Sequence, residues 1–255
     1  MIKVSDYVAN TLVKHGITQV FMVTGGAAMH LNDSIGKHPG LRYVCNHHEQ
    51  ASAMAAEGYA RASSKMAAVC VTSGPGGTNA LTGVLGAWTD SIPMLVISGQ
   101  VRYDMTVRST ILPLRQLGDQ EFDIARFVFP ITKYSEMVVN PTSIRHILEK
   151  AIHLAKSGRP GPCWIDIPVD VQGMMIDEEK LPGYKLYDDA TPKVIYNIAK
   201  QVLTTIKWSK RPVILVGPAV RSSGALGVFS ELIDLLNIPV VTAFNAHDAI
   251  ESDHW

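Results

Sequence analysis

The sequence predicts an α/β fold in which helices cover both faces of a parallel β-sheet. Apolar runs of five or six residues, such as 66–71 and 93–97, have the length of buried strands. Segments with helical periodicity separate these runs, as they do in repeated βα units. Glycine-rich or polar loops follow several of the runs, at the end of the strand where such sheets bind ligands.

The first 170 residues supply most of these elements. Apolar side chains repeat every four residues from Val4 to Leu12 and Gly16 follows, which predicts a helix over 5–15. Strands are predicted at 19–23, 41–45, 66–72, 94–98 and 163–167. Further helices are predicted at 48–63, 78–89 and from Asn140-Pro141 to Gly158. We expect one domain over residues 1–170.

The remaining residues predict a linker and the start of a second domain. Residues 171–190 carry mixed charge and a Pro-Gly pair, which is typical of a linker. Thr191-Pro192 is expected to open a helix, and a strand at 212–217, a helix at 225–236 and a strand at 239–243 follow. A doubly wound domain has about five or six strands. Residues 191–255 are therefore expected to form an incomplete Rossmann-like domain.

Composition excludes several classes of protein. The 23 basic and 23 acidic side chains cancel, whereas a nucleic-acid-binding protein normally has a basic surplus. The apolar runs are too short to span a membrane, and the N-terminus lacks a signal-peptide core. The three cysteines form no CxxC pair, which predicts thiols in a reducing, cytoplasmic compartment. Because only 18% of residues are charged, we expect part of the surface to contact partner subunits.

Three loops after predicted strands are candidate sites, at 24–27, 46–50 and 73–79. Glu49 begins a helix, so its carboxylate is either catalytic or a partner of the helix dipole. The loop at 74–77 matches neither a Walker A nor a GxGxxG motif, and is either a tight turn or a close approach to a ligand. His47 and His48 are adjacent and lack a third ligand at helical spacing, so no metal site is predicted.

Ordered motifs along the chain resemble those of a known enzyme family. They include the tripeptide His48-Glu49-Gln50 and the segments 56–61, 71–79, 90–93, 99–101, 130–133, 158–162 and 166–171. Residues 4–172 thereby resemble the pyrimidine-binding domain of thiamine-diphosphate enzymes of the acetolactate synthase type. Residues 191–255 resemble the start of the central domain of that family.

The resemblance implies a cofactor site around Glu49. In this family a glutamate at that position hydrogen-bonds N1′ of the aminopyrimidine ring and promotes removal of the proton from thiazolium C2. Pro75, Gly76 and Asn79 match the loop that borders the pyrimidine ring. Simple decarboxylases of the family carry twin histidines in a segment that corresponds to 109–113 here, which contains none. Carboligation is therefore favoured over simple decarboxylation.

The resemblance also implies groups that act on the substrate. Gly25 and Gly26 match a glycine loop that faces the reacting carbon from the partner subunit, where backbone N–H groups stabilise an oxyanion. Gln120 matches a glutamine near the substrate. Lys133 either matches a lysine near the substrate channel or is a solvated charge at the end of a strand. The segment 115–121 departs from the Gly-Thr-Asp-Ala-Phe-Gln-Glu run of the synthases, which leaves the acceptor substrate open.

The implied reaction is decarboxylation of pyruvate and carboligation to a second 2-oxo acid, as in branched-chain amino acid biosynthesis. The implied cofactors are thiamine diphosphate and Mg²⁺, the latter held by a Gly-Asp-Gly domain that is not in these residues, with FAD beside Gly217-Pro218-Ala219 as a further candidate. The implied assembly is a homodimer or homotetramer through the pyrimidine domain. Two alternatives remain: another thiamine-diphosphate decarboxylase or carboligase, and a non-catalytic half-chain that needs a diphosphate-binding partner.

Overall fold

A computed structural model describes residues 1–185, 196–252 and 254. The chain divides into two compact units, Met1–Tyr187 and Asp188–Trp255.

The first unit alternates strands and helices over most of its length. Its strands are β1 (Ile2–Lys3), β2 (Gln19–Met22), β3 (Arg42–Cys45), β4 (Ala67–Val71), β5 (Met94–Gln100), β6 (Tyr134–Met137), β7 (Pro162–Pro168) and β8 (Met175–Ile176). Its helices are α1 (Val4–Lys14), α2 (Met29–Lys37), α3 (Glu49–Ser63), α4 (Pro75–Thr78), α5 (Leu81–Thr89), α6 (Ile124–Phe127), α7 (Ile144–Lys156) and α8 (Val169–Gly173). Short 3₁₀ turns join several of them.

Six of these strands form one parallel sheet in the order β3-β2-β4-β5-β7-β6. Every residue of β4, β5 and β7 is buried, which explains why the sequences of these strands are mainly apolar. The predicted parallel α/β fold is confirmed. Because all six strands run the same way, their carboxyl ends lie at one edge of the sheet, and the loops that leave this edge carry the candidate site.

Two apolar layers cover the sheet. Helices α1 and α7 contribute to one cluster, in which Val4, Val8 and Leu12 are fully buried, so the four-residue repeat read from the sequence is the core face of α1. On the other face the alanine-rich helix α3 packs against α5. Their approach is close: a Cβ on Gly83 would lie 2.6 Å from the Cβ of Ala53. Small side chains therefore allow these two helices to approach each other closely.

The prediction that residues 171–190 form a linker is wrong for the first part of that range. Strand β8 pairs antiparallel with β1, and α8 packs against α1 and α2. Val171, Ile176 and Leu181 are buried in the core of the first unit, because these apolar side chains within the charged segment remove surface from water. Residues 186–190 lie outside the described residues.

The second unit contains a parallel pair of strands. Its elements are α9 (Tyr196–Trp208), β9 (Ile214–Val216), α10 (Ala219–Ser222), α11 (Leu226–Leu236) and β10 (Val240–Thr242). Strands β9 and β10 are parallel, and Val216, Phe229 and Ile233 form a small buried cluster beside them. The predicted strands and the helix between them are confirmed, and the helix start expected at Thr191-Pro192 lies outside the described residues.

A buried polar cluster joins β5 to β7. Ser98 Oγ donates a 2.6 Å hydrogen bond to Asp166 Oδ1 and accepts a 2.8 Å bond from Trp164 Nε1. Gln100 Nε2 donates to Asp166 Oδ2 at 3.1 Å. Burial raises the pKa of the Asp166 carboxyl to about 7, and the hydrogen bonds from Ser98 and Gln100 oppose that rise.

The Asp166→Asn variant is expected to change the pH dependence of stability. Asp166 ionises near pH 3.8 when unfolded and near 7 when folded, so its contribution to the free energy of unfolding is largest below pH 4. That contribution falls as the pH rises to 7, by up to about 4 kcal/mol, and stays constant above. Urea unfolding of wild type and variant from pH 4 to pH 8 measures the difference. A difference that does not change with pH would contradict the expectation.

Candidate active site

Glu49 lies at the carboxyl edge of the sheet because the loop after β3 is tied to its neighbours. Asn46 N–H donates to Met22 O at 2.8 Å, and Asn46 Nδ2 donates to Ser52 Oγ at 3.0 Å. His48 then caps α3, since its Nδ1 accepts the Gln50 N–H at 3.2 Å. Glu49 is therefore the first residue of α3, and its carboxylate stands at the positive end of that helix.

The two carboxylate oxygens of Glu49 have different surroundings. Oε2 accepts a 2.6 Å hydrogen bond from Asn79 Nδ2, which also lies 3.2 Å from His48 Nε2. Oε1 accepts no hydrogen bond from any residue that the structure describes, and lies 3.6 Å from the position of a Cβ on Gly76. The partly buried carboxylate is thus fixed through one oxygen and directs the other towards the glycine backbone.

Thr72, which the sequence analysis missed, lies between two glycine loops and packs closely against both. It follows β4, and a Cβ on Gly76 would lie 2.6 Å from its Cγ2 methyl. A Cβ on Gly25 would overlap with the Cβ of Thr72. Thr72 therefore leaves no space for a side chain at either glycine. Gly26 differs, because a Cβ there would meet no atom within 4 Å, so its backbone faces open space.

The loop after β5 reaches the same edge through Gln120. Gly74 has φ +54° and ψ −121°, a conformation that only glycine adopts readily, and any Cβ there would overlap with the Gln120 carbonyl oxygen. Gln120 itself has φ 54° and an exposed side chain. Gly74 precedes Pro75, the first residue of α4. The structure thus brings Gln120 beside the predicted pyrimidine loop.

Glu121, a second residue that the sequence analysis missed, shapes the loop that carries Gln120. Its side chain is buried, and its two carboxylate oxygens accept the N–H groups of Val107 and Leu117, each at 3.2 Å. These two bonds link the backbones of Val107 and Leu117 through the side chain of Glu121. Glu121 therefore ties together the loop that carries Gln120.

Lys133 lies at the other edge of the sheet, so within the first unit the structure does not bring it together with Glu49 and Gln120. Its N–H donates to the carbonyl of Pro162, the first residue of β7, and its Nζ donates to Ser157 O at 2.6 Å. This is the amino end of a parallel strand, whereas Glu49 follows the carboxyl end of one. The two residues therefore occupy opposite edges of the sheet.

Two models of known protein families match the chain. The family described as "Thiamine pyrophosphate enzyme, N-terminal TPP binding domain" matches residues 2–126, and the family described as "Thiamine pyrophosphate enzyme, central domain" matches residues 199–255. The chain belongs to the thiamine pyrophosphate enzymes. The first match includes Gly25, Glu49, Gly76 and Gln120 and ends before Lys133.

Individual relatives in this family are acetolactate synthases. The chain is 37% identical over 243 residues to the acetolactate synthase large subunit of Lactococcus lactis, which covers 93% of this chain and 40% of the relative. It is 34% identical to the acetolactate synthase isozyme 3 large subunit of Escherichia coli, over 100% of this chain and 43% of the relative. For the chloroplastic acetolactate synthase of Arabidopsis thaliana the identity is 35%, over 94% and 35%. The chain thus spans about two fifths of the length of these relatives.

Two features are absent from the part of the chain that the structure describes. None of the described helices is long and apolar enough to cross a membrane. They contain no group of three or more His, Cys, Asp or Glu side chains arranged to hold a metal ion.

Proposed function

We propose that the full-length protein is an acetolactate synthase-like enzyme that uses thiamine diphosphate. Its reaction would be decarboxylation of pyruvate followed by carboligation to a second 2-oxo acid, and its place would be in branched-chain amino acid biosynthesis. The observation that carries the proposal is the Glu49 carboxylate. One of its oxygens is fixed by Asn79, and the other faces the glycine backbone at Gly76. The names of the relatives support the same reaction.

The residues at the carboxyl edge fit the ring end of thiamine diphosphate. Bound thiamine diphosphate supplies a thiazolium carbon acid whose deprotonated form adds to the carbonyl of a 2-oxo acid. Glu49 Oε1 would exchange a proton with the ring nitrogen N1′, and Asn79 would keep the carboxylate in place. Gly25 and Gly76 let both loop backbones pack closely against Thr72, since neither carries a side chain.

Gly26 and Gln120 would act on the substrate side of the site. The open backbone at Gly26 leaves its N–H accessible to a developing oxyanion, a contribution of about 3–4 kcal/mol in other acyl-transfer enzymes. The exposed side chain of Gln120 lies on a backbone that packs against Gly74. It would contact the acceptor 2-oxo acid by hydrogen bonding.

Mg²⁺ and FAD belong to the proposal as cofactors held elsewhere. We place Mg²⁺ and the diphosphate on the part of the family's fold that carries the Gly-Asp-Gly motif. FAD would lie beside Gly217-Pro218-Ala219, which forms the turn between β9 and α10. A Cβ on Gly217 would meet no atom within 4 Å, so this strand-end turn is open to a ligand.

Assembly as a homodimer or homotetramer through the first unit is part of the same proposal. Helices α3 and α5 expose Met54, Leu85 and Trp88, with 45%, 46% and 37% of their surface accessible. Neighbouring exposed apolar side chains of this size mark interaction surfaces.

We also propose a cytoplasmic location, supported by three free cysteine thiols, of which Cys70 and Cys163 are buried.

Incubation of the full-length protein with pyruvate, thiamine diphosphate and Mg²⁺ tests the proposed function. We expect carbon dioxide release and acetolactate, both dependent on thiamine diphosphate. If acetaldehyde forms without acetolactate, the protein would be a decarboxylase and not a carboligase. If the product shows carboligation to another acceptor, the proposed cofactor chemistry would stand and the proposed acceptor substrate would change. Absence of any cofactor-dependent turnover, restored only by a separate diphosphate-binding chain, would favour the non-catalytic half-chain.

A further inference from the structure

Gln172 connects the loop that carries Gly25 and Gly26 to the rest of the sheet edge. It lies on α8 and is fully buried. Its Nε2 donates to Ala27 O at 2.7 Å and to Ile167 O at 2.7 Å, while its Oε1 lies 3.4 Å from the Leu31 N–H. One carboxamide thus joins the glycine loop, the end of β7 and the first turn of α2.

The orientation of the glycine loop depends on where its carbonyl groups point. Ala27 O enters the space beside β5 that a Cβ on Gly99 would occupy, and Gln172 bonds to it there. Gly25 O accepts Asn32 Nδ2 at 3.3 Å. In a trans peptide the carbonyl and the following N–H point in opposite directions. The inward Gly25 carbonyl therefore turns the Gly26 N–H away from these partners, towards the open side of the loop.

A carboxamide is suited to this position because both of its Nε2 hydrogens are used. Without it, Ala27 O and Ile167 O would lose a donor in a buried place, and an unmade buried hydrogen bond is costly. A methionine of similar length supplies no donor. A glutamate keeps the acceptor for Leu31 but presents carboxylate oxygens to two carbonyl oxygens.

We propose that Gln172 is a positioning residue of the active site, which holds the 25–27 loop so that Gly26 faces the reacting carbon. The inference rests on the proposed function, because the role of Gly26 belongs to it. It adds the residue that fixes Gly26 from outside the loop, 145 positions along the chain from Ala27.

Amide hydrogen exchange on the cofactor-free full-length protein tests the positioning directly. In Gln172→Met, exchange in the 25–31 peptide is expected to rise about tenfold, as for a lost hydrogen bond of about 1.4 kcal/mol, while the peptide that contains Glu49 stays unchanged. The control is Thr132→Val, which removes a buried hydrogen bond from Thr132 Oγ1 to Val128 O before β6, towards the amino edge of the sheet. Unchanged exchange in the 25–31 peptide would overturn the inference.

Kinetics of the holoenzyme provide the second measurement. Gln172→Met is expected to lower kcat about tenfold to a hundredfold, while proton exchange at C2 of bound thiamine diphosphate continues at the wild-type rate. In Gln172→Glu the loss should be larger and should diminish at low pH, because a protonated glutamate recovers one donor. Equal losses of kcat and C2 exchange, or a loss equal to that of Thr132→Val, would overturn the inference. Absence of C2 exchange in the wild-type protein would instead overturn the proposed function.

Discussion

Glu49→Gln is expected to abolish proton exchange at C2 of bound thiamine diphosphate while the fold is kept. Glutamine has the shape of glutamate, and its amide oxygen can accept the hydrogen bond from Asn79 that holds the wild-type carboxylate. An amide cannot take up and return a proton near neutral pH, so the group facing Gly76 loses its acid–base function. A loss of about 10²–10⁴ in the exchange rate is expected, since that is the usual contribution of a positioned acid–base group.

Quenched-flow deuterium exchange, read by NMR, measures this rate in the full-length holoenzyme. Glu57→Gln is the matched control, because Glu57 lies on the same helix and pairs with Arg61 at 2.6 Å, away from the glycine loops. That variant should retain exchange and lose at most about 1 kcal/mol of stability, as expected for an ion pair near the surface. Wild-type exchange in Glu49→Gln, or equal losses in both variants, would exclude Glu49 as the acid–base group.

Local sequence patterns were sufficient to predict the sheet and the position of Glu49. Strands β4, β5 and β7 are buried on both faces, so their sequences contain apolar runs that can be recognised without knowledge of the neighbouring strands. The parallel direction then placed the loops after the strands at one edge. Strand β6 was missed because it lies at the edge of the sheet, where only Met137 of its residues is buried.

The supporting residues could not be predicted because their partners are distant in the chain. Gln172 bonds to Ala27 across 145 positions, and Gly74 accommodates the carbonyl of Gln120. Neither pairing has a local signal, since each exists only after the sheet has formed. Lys133 shows the opposite case: a motif match predicted a place near the substrate channel, whereas the parallel strands put this residue at the edge opposite Glu49.

Gly76→Ala is expected to disrupt the site by steric overlap with Thr72. The new Cβ would lie 2.6 Å from the Thr72 Cγ2 methyl, and a β-branched side chain has little rotameric freedom to move away. Overpacking of this kind costs about 1–3 kcal/mol in stability. The same Cβ would lie 3.6 Å from Glu49 Oε1, beside the oxygen that is proposed to bond to N1′. Both the free energy of unfolding and C2 exchange should therefore fall.

A double-mutant cycle with Thr72→Ala separates these two effects. Removal of the Cγ2 methyl relieves the overlap, so the Gly76→Ala, Thr72→Ala double variant should recover the stability lost on changing Gly76 alone. C2 exchange should stay low, since the alanine still occupies the space beside Glu49. Urea unfolding and deuterium exchange on the four proteins of the cycle provide the two measurements.

Gly25→Ala is the control that makes the cycle specific. Its Cβ would overlap with the Cβ of Thr72, an atom that alanine retains, so Thr72→Ala should give little recovery of stability. Both positions thus meet the Thr72 Cγ2 methyl at 2.6 Å, and only the position at Gly25 also overlaps with the Cβ that alanine retains. Thr72→Ala could instead restore the stability of both glycine variants equally. That result would mean that both loops move to relieve the overlap, and that Thr72 does not fix the separation of the two backbones.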